Sequence, residues 1–239
     1  MDDSIARDGM KRAAAERAVR EVQNGMVLGL GTGTTAAFML VALARRIGEG
    51  LRVTGIPTSE MTAAAAQRLG IPLKPMTAGR RIDLTIDGAD QIERATLNLI
   101  KGGGGALLRE KRVAQASRRM IVIADDSKLV ARLGTGGKLP VAIEPARSRQ
   151  SIEGLTALGA AVTLRQADGH SYVTDDGLAI ADCTFGAIAD APGLEARISA
   201  IPGVVESGLF IGLAEMAIIG GPVDVQILKP ASLTSDSVP

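Results

Sequence analysis

A threonine-rich turn near the start of the chain, Gly29-Leu30-Gly31-Thr32-Gly33-Thr34-Thr35, lies between a predicted strand and a predicted helix. Glycine allows the backbone to turn tightly, and the start of a helix offers free N–H groups and a positive dipole end to an anion. The hydroxyl groups of Thr32, Thr34 and Thr35 would add further donors around Gly33. The turn therefore predicts a phosphate-binding site.

The same turn also fits part of the dinucleotide-binding fingerprint, as Gly31-x-Gly33-x-x-Ala36. That fingerprint requires an acidic residue at the end of the next strand, where it holds a ribose hydroxyl. The next predicted strand instead runs into Pro57-Thr58-Ser59, and Glu49 comes before it. The sequence thus favours a phosphate monoester over NAD, with a turn that binds nothing as the third possibility.

Two carboxylates follow the apolar strand at residues 84–86, in the segment Asp87-Gly88-Ala89-Asp90. Ligands of open parallel sheets bind just beyond the carboxyl ends of the strands. Carboxylates three residues apart could hold sugar hydroxyls there, share a proton or bind a divalent ion. A solvated turn in which Asp90 caps the next segment is an equally good interpretation of the spacing.

Four consecutive glycines, in the segment Lys101-Gly102-Gly103-Gly104-Gly105, lead into a predicted helix that carries Glu110. Glycines lose much conformational entropy on folding, so a run of four suggests that a ligand approaches the backbone closely. Amides at this helix start would suit a developing oxyanion. The lysine precedes the glycines, so this is not a Walker A loop. Glu110 lies near the same end, although its neighbours Arg109 and Lys111 alone would indicate a surface ion pair.

A fourth polar loop, Asp125-Asp126-Ser127-Lys128, also follows a predicted strand. Lys128 could reach an anion at the edge of the sheet, although a lone loop lysine is more often only solvated. Because the carboxyl ends of parallel strands meet at one edge, we expect all four segments to line one crevice. Their coincidence predicts a single site.

The elements that must position these loops alternate along the first half of the chain. Strands are predicted at residues 26–30, 52–56, 72–74, 83–86 and 120–124, and helices at 9–22, 35–47, 60–69 and 106–117. Such alternation indicates a parallel sheet covered on both faces. After residue 132 the pattern becomes β-α-β-β-α, with a hairpin turn at Asp175-Asp176-Gly177 between strands predicted at 171–174 and 178–182. Segments 208–213 and 223–227 are predicted to return the chain to the first sheet.

Composition excludes several classes of function. Lys plus Arg number 27 and Asp plus Glu 26, and this balance argues against nucleic-acid or membrane-surface binding. One cysteine, Cys183, excludes an internal disulfide and indicates a reducing compartment. The single histidine, His170, cannot complete a usual zinc site with it, and a Ser-His-Asp triad would need His170 in a predicted turn. We therefore predict no metal site.

Targeting signals are not apparent in the sequence. The N-terminal segment is acidic and has no apolar h-region. The uncharged run at residues 25–44 is as long as a membrane span, but glycines and threonines interrupt it. A strand, a turn and a buried helix explain this run better. We expect a soluble, cytoplasmic protein.

The segments above occur in an order that resembles the A-type ribose-5-phosphate isomerases, over nearly the whole chain from about Lys11 to Gly220. The Asp-Gly-Ala-Asp segment and the stretch from Lys101 to Lys111 are the most specific. The pattern Ile201-Pro202-Gly203-Val204-Val205-Glu206 also matches. The resemblance implies interconversion of D-ribose 5-phosphate and D-ribulose 5-phosphate in the non-oxidative pentose phosphate pathway, without a metal or organic cofactor.

The resemblance also implies an architecture. It indicates an α/β fold, with a Rossmann-like parallel-sheet catalytic domain at residues 1–132 plus 207–230. An α+β domain of the split βαβ, ferredoxin-like type would be inserted at 133–206, and residues 231–239 would form a frayed tail. Family members are commonly homodimers or homotetramers, so we expect a homo-oligomer that binds a small sugar phosphate and neither nucleic acid nor membrane.

Roles for individual residues follow from the resemblance as well. Glu110 would pass a proton between C2 and C1 through a cis-enediol or enediolate. Lys101 and the glycine amides would stabilise that intermediate, while Asp87 and Asp90 would bind hydroxyls and assist opening of the furanose ring. The substrate-binding set would be Thr32, Gly33, Thr34, Thr35, Asp87, Gly88, Ala89, Asp90, Lys101, Gly102, Gly103, Gly104, Lys128 and Lys11.

Two other functions occur on related folds and remain alternatives. A sugar-phosphate sensor would bind without turnover, but would normally carry a helix-turn-helix, for which only some ten residues precede the first predicted helix. A coenzyme A transferase would use a glutamate nucleophile, for which Glu206 would be the candidate. The sequence departs slightly from the isomerase pattern, as at Gln91, where an acidic residue is usual.

Overall fold

The computed structural model describes residues 3–77 and 79–231, and residues 232–239 of the tail predicted at 231–239 lie outside the described residues. Helices in the described part are α1 (Asp3–Val19), α2 (Thr34–Gly48), α3 (Glu60–Arg68), α4 (Leu107–Gln115), α5 (Ser148–Ala157) and α6 (Ala191–Ser199). The strands are β1 (Val27–Leu30), β2 (Thr54–Pro57), β3 (Leu84–Asp87), β4 (Gln91–Glu93), β5 (Leu99–Ile100), β6 (Met120–Asp125), β7 (Leu129–Val130), β8 (Leu139–Ile143), β9 (Ala161–Leu164), β10 (Gln166–Ala167), β11 (His170–Ser171), β12 (Ala179–Thr184), β13 (Val204–Ser207), β14 (Leu209–Phe210), β15 (Met216–Gly220) and β16 (Val225–Leu228).

The main sheet has the strand order β16-β15-β6-β3-β1-β2. Its pairs are parallel except at the edge, where β16 runs antiparallel to β15. Every residue of β3, β6 and β15 is buried, as expected for strands covered on both faces. Helix α1 packs against α2, β6 and β15. The predicted parallel α/β core is confirmed, and the segment predicted at 223–227 forms the edge strand β16, whose antiparallel direction the prediction did not include.

A second, antiparallel sheet has the order β13-β8-β12-β9 and belongs to the chain order β8-α5-β9-β12-α6-β13. This arrangement is the predicted split βαβ, ferredoxin-like unit. Its apolar core includes Leu155 of α5, Ile198 of α6 and the buried thiol of Cys183. The unit therefore buries a core of its own beside the main sheet.

A third sheet, with the order β14-β5-β4-β7, was not predicted. Its strands are two or three residues long, too short for a hydrophobic period to show in the sequence. Lys101 directly follows β5, and its N–H donates to the Gly208 carbonyl at 2.9 Å, while the Asp90 N–H donates to the Ile100 carbonyl at 2.8 Å. These bonds fix the position of Lys101 relative to Asp90.

Several predicted elements differ from the structure in detail. The strand expected at 72–74 is a single bridge between Leu73 and Gly55, and the strand expected at 171–174 is only His170–Ser171. The turn at Asp175-Asp176-Gly177 is present, with a positive φ of 75° at Gly177. None of the helices in the described ranges is both long enough and apolar enough to span a membrane.

Candidate active site

Three of the four polar loops identified in the sequence meet at one edge of the main sheet because they follow the neighbouring strands β1, β3 and β6, and the glycine loop reaches the same edge from β5 of the third sheet. A cavity opens there, beyond the carboxyl ends of these strands. It is lined by Arg7, Lys11, Thr32, Gly33, Thr34, Thr35, Gly88, Ala89, Asp90, Lys101, Gly102, Gly103, Gly104, Glu110, Asp125, Ser127 and Lys128. Every residue of the predicted set lines it except Asp87, which lies directly behind the wall.

A buried group of three charges forms the base of the cavity. The Lys101 Nζ lies 3.0 Å from Asp87 Oδ2 and 3.4 Å from Glu110 Oε2, and it donates to the Gly88 carbonyl at 2.5 Å. The side chains of all three charged residues are at most 5% exposed. Two carboxylates thus share one ammonium group, which leaves the group with a formal charge of −1 when all three are ionised.

Burial and this excess of negative charge shift the pKa values of the group. Burial raises the pKa of Glu110 to about 8, against the pull of Lys101 and with a further contribution from Asp87. Burial also raises the pKa of Asp87. Burial alone would lower the pKa of Lys101, but the two carboxylates outweigh it and raise that pKa instead. Lys101 therefore stays charged, while Glu110 exchanges protons near neutral pH.

Two carboxylate oxygens of this group lack a well-directed hydrogen bond from any described residue. They are Asp87 Oδ2 and Glu110 Oε2, and both are buried. Buried polar atoms are nearly always hydrogen-bonded, so such exceptions require an explanation. An incoming hydroxyl or a transferred proton would satisfy Glu110 Oε2, whose residue opens into the cavity.

Asp87 holds the wall of the cavity from behind. Its Oδ1 accepts from the Thr32 N–H at 3.0 Å and from the Gly88 N–H at 2.7 Å. Glycine at position 31 is needed for this contact, because a Cβ there would lie 2.1 Å from Asp87 Oδ1. The structure therefore joins Asp87 to the threonine turn and to Lys101, rather than presenting it to a ligand as the sequence suggested.

The hydroxyl of Thr32 is also placed differently from the prediction. It lies 2.8 Å from the hydroxyls of Thr58 and Ser59 and 3.0 Å from that of Thr62, within a buried cluster. A hydroxyl with three such neighbours is not available as a donor for phosphate. Thr34 begins α2, and it is this helix start that faces the cavity.

The glycine loop uses two of its four amides internally. The Gly103 N–H donates to Asp90 Oδ2 at 2.7 Å, and the Gly105 N–H donates to the Gly102 carbonyl at 2.9 Å. The expectation that all four amides face an oxyanion is therefore wrong. The amide of Gly104 has no acceptor among the described residues, and Gly104 lines the cavity.

Basic side chains approach the cavity from two elements. Lys11 lies on α1 and pairs with Asp8 at 3.2 Å, and Lys128 follows β6. Arg7 also lines the cavity, which the sequence analysis missed. It precedes Lys11 by one helical turn, and this spacing places both side chains on one face of α1.

Asp125 and Ser127 also line the cavity, in a loop that the sequence predicted there, although only Lys128 of that loop was given a role. Asp125 is 1% exposed and accepts hydrogen bonds from both the N–H and the hydroxyl of Ser127. This turn shapes the loop that presents Lys128. Within the described ranges, no group of three or more His, Cys, Asp or Glu side chains is placed to hold a metal ion.

Comparison with known proteins identifies the family of this chain. The family model for ribose 5-phosphate isomerase A (phosphoriboisomerase A) matches residues 54–224. Ribose-5-phosphate isomerase A of Gloeobacter violaceus is 52% identical over 225 residues, which cover 94% of this chain and 98% of that protein. The chain belongs to the ribose 5-phosphate isomerase A family.

Solved structures related to this ribose 5-phosphate isomerase A family member share its fold. A ribose 5-phosphate isomerase A from Methanocaldococcus jannaschii superimposes with a TM-score of 0.88 at 40% identity, covering 92% of this chain and 98% of that one. A D-ribose-5-phosphate isomerase in complex with phospho-erythronic acid gives a TM-score of 0.90 at 33% identity, covering 96% and 100%. The predicted Rossmann-like fold with an inserted α+β unit is confirmed.

The glutamate that a coenzyme A transferase would need lies elsewhere in this isomerase-family structure. Glu206 Oε1 lies 2.6 Å from the Lys111 Nζ and accepts from the Ser207 N–H at 2.9 Å. Lys111 is buried and also lies over the ring of Phe210, 5.3 Å from its centroid. Glu206 thus neutralises a buried lysine next to Glu110 and does not line the cavity.

Proposed function

We propose that this protein interconverts D-ribose 5-phosphate and D-ribulose 5-phosphate, with Glu110 as the group that moves the proton. The observation that carries the proposal is a buried carboxylate with a pKa of about 8 that opens into a cavity beside Lys101. General bases work best when their pKa lies near the working pH. An aldose becomes its ketose when one proton moves between adjacent carbons and one between their oxygens, and a single such base can transfer the carbon-bound proton.

In the proposed reaction, ionised Glu110 removes the proton from C2 of the open-chain aldose, the hydroxyl proton of O2 passes to O1, and Glu110 delivers its proton to C1, which leaves the carbonyl at C2. The intermediate is a cis-enediolate, whose negative charge develops on the former carbonyl oxygen. The buried Lys101 and the unpaired Gly104 amide are the donors that would stabilise this oxygen. Asp90, held by the Gly103 N–H, would orient a sugar hydroxyl and assist ring opening.

The phosphate would bind where positive charge and free amides coincide. The first turn of α2, at Thr34 and Thr35, offers amides and the positive end of the helix dipole. Lys11 and Lys128 line the same cavity and would supply full charges. Anchoring the phosphate would convert the proton transfer into a well-oriented, effectively unimolecular step.

The first test is incubation of metal-free protein with ribose 5-phosphate alone. We expect ribulose 5-phosphate to form, and an equilibrium mixture to result from either sugar. A coenzyme A transferase would need a second substrate, and a sensor would bind ribose 5-phosphate without converting it. Binding without product would contradict the proposal.

The pH dependence of kcat/KM provides a second test. Because the base must be deprotonated and burial raises the pKa of Glu110 to about 8, kcat/KM should rise with pH and level off above that value. The substrate phosphate has a second pKa of about 6, so a scan from about pH 6.5 to 9.5 isolates the enzyme group. An unchanging kcat/KM over this range would argue against Glu110 as the base.

The raised pKa of Glu110 also makes the free energy of unfolding depend on pH, because the native and unfolded chains bind different numbers of protons. Between pH 4.5, the ordinary pKa, and about 8, native Glu110 holds a proton that the unfolded chain has released. The free energy of unfolding should therefore fall across this window as the pH rises, by on the order of a few kcal/mol. Denaturant titrations of the wild type and the Glu110→Gln variant should diverge by this amount between pH 5 and 9.

The proposal also covers the domain boundaries, the oligomeric state and the cellular location of the protein. We place the domain boundaries at 1–132 plus 207–230 and 133–206, supported by one apolar core at the main sheet and a second centred on β8, β12, α5 and α6, which Ile100 and Leu209 of the first domain also join. We propose a homodimer or homotetramer on the basis of the family resemblance, which light scattering would test. Since phosphorylated sugars cross a hydrocarbon layer only at high cost, we place the enzyme with its substrate in the cytoplasm.

A further inference from the structure

We propose that Arg165, in the inserted unit, is a positioning residue that aims the backbone amides of the glycine loop at the substrate. This inference rests on the proposed function. Arg165 directly follows β9, outside the cavity, and its side chain is 15% exposed. It reaches the loop from the side opposite to the cavity, through the carbonyl groups.

The guanidinium group bonds to two consecutive peptide carbonyls. Its Nη1 donates to the Gly102 carbonyl at 3.1 Å and to the Gly103 carbonyl at 2.9 Å. In a planar trans peptide, the C=O and the following N–H point in opposite directions. Holding both carbonyls on one guanidinium therefore turns the next two amides, those of Gly103 and Gly104, toward the cavity.

Of these two amides, one is bonded to a side chain at the cavity and the other is unpaired there within the described part of the chain. The Gly103 N–H donates to Asp90 Oδ2 at 2.7 Å and so fixes a carboxylate that lines the cavity. The Gly104 N–H finds no acceptor among the residues of the described ranges, and Gly104 also lines the cavity. One donor thus orients Asp90, and the other is free for the oxyanion of the intermediate.

The guanidinium is itself held rigidly. Its Nε donates to Asp182 Oδ2 at 3.0 Å and its Nη2 to Asp182 Oδ1, an arrangement in which both nitrogens meet one carboxylate. The guanidinium carbon lies 5.7 Å from the centre of the Tyr172 ring, and the Tyr172 hydroxyl donates to the Gly104 carbonyl at 3.2 Å. A third carbonyl of the loop is therefore held from the same side.

A cation on the carbonyls has a second effect. Hydrogen bonds in a chain polarise one another, so a charged donor on the C=O strengthens the N–H of the same peptide as a donor. Four flexible glycines would otherwise sample many orientations. Arg165 thus supplies both the orientation and the polarisation that the glycine run lacks on its own.

The test compares two ligands that differ at the position of the oxyanion. Phospho-erythronate carries a carboxylate there, and erythritol 4-phosphate carries a neutral alcohol. In the Arg165→Met variant we expect kcat to fall by about 10- to 100-fold with little change in KM, somewhat less than the loss of an entire oxyanion donor. Affinity for phospho-erythronate should fall about 10-fold, while that for erythritol 4-phosphate should change less than about 2-fold.

Two further variants keep the test decisive if Arg165→Met folds poorly. Arg165→Lys retains the charge but not the fork of donors, so its kcat should lie between those of the wild type and Arg165→Met. It should again lose more affinity for phospho-erythronate than for erythritol 4-phosphate. Tyr172→Phe removes only the bond to Gly104 and should give a smaller effect of the same sign. Arg149→Met, which removes an exposed cation of α5, is the matched control.

The outcomes separate this inference from the proposed function. If the wild type neither converts ribose 5-phosphate nor binds phospho-erythronate, the proposed function fails. If the wild type does both but the Arg165 variants lose only thermal stability, or weaken both ligands equally, Arg165 is a structural residue and the inference is wrong.

Discussion

Replacing Glu110 by Gln should reduce isomerisation by at least about 10³-fold while leaving sugar-phosphate binding nearly intact, a loss within the usual range for a general base. Glutamine has the same shape but cannot accept the C2 proton. In deuterated water, the wild type should exchange the C2 proton of ribose 5-phosphate with solvent, and the variant should not. Proton NMR of the substrate pool measures this exchange directly.

The control for this experiment is Glu153→Gln, which neutralises an exposed carboxylate paired with Arg149 on α5. It should exchange and isomerise like the wild type. Calorimetric binding of phospho-erythronate to the Glu110→Gln variant would show that the cavity is still formed. Exchange at the wild-type rate in that variant would remove Glu110 from the proposed role.

Much of this site could be predicted because its parts follow strands. The loops after β1, β3 and β6 lie together since those strands are neighbours in a parallel sheet, and each loop carries residues with unusual composition. Strand β15 was not predicted, because its sequence carries no distinctive pattern. Met216–Gly220 is a short apolar run buried on both faces, and periodicity does not distinguish such a run from other buried segments.

The errors within the site concern where each polar group finds its partner. Sequence position placed Thr32 at the cavity but did not show that Thr58, Ser59 and Thr62 surround its hydroxyl. Likewise, the four glycines predicted free amides, and only the folded loop shows that Asp90 occupies that of Gly103. Hydrogen bonds between residues far apart in the chain have no local signal in the sequence.

Gln91 stands where the isomerase pattern usually has an acidic residue, and its hydrogen bonds explain the difference. Its Oε1 accepts from the Gly134 N–H at 2.7 Å, and its Nε2 donates to the Thr135 carbonyl at 2.9 Å. A carboxylate could accept the first bond but could not donate the second. The amide therefore suits the glycine-rich loop of this chain, at the entry to the inserted unit.

Replacing Lys101 by Met should abolish measurable isomerisation and shift any residual activity to higher pH. The ammonium group is the counter-ion of two buried carboxylates, at 3.0 Å from Asp87 and 3.4 Å from Glu110. Without it, the pKa of Glu110 should rise further above 8, so the base would stay protonated up to a higher pH than in the wild type. The pH profile of kcat/KM checks this, with Lys138→Met as an exposed control that should retain the wild-type profile.

The stability of Lys101→Met should depend on pH for the same reason. Breaking a buried ion pair typically costs about 3 to 5 kcal/mol, but carboxylates that take up protons avoid most of this cost. The loss in free energy of unfolding should therefore be small near pH 5 and grow as the pH rises above 8. Adding Glu110→Gln removes one of the uncompensated charges, so the double variant should be more stable at pH 9 than Lys101→Met alone. Additive effects of the two substitutions would show that the ammonium and the Glu110 carboxylate are not coupled.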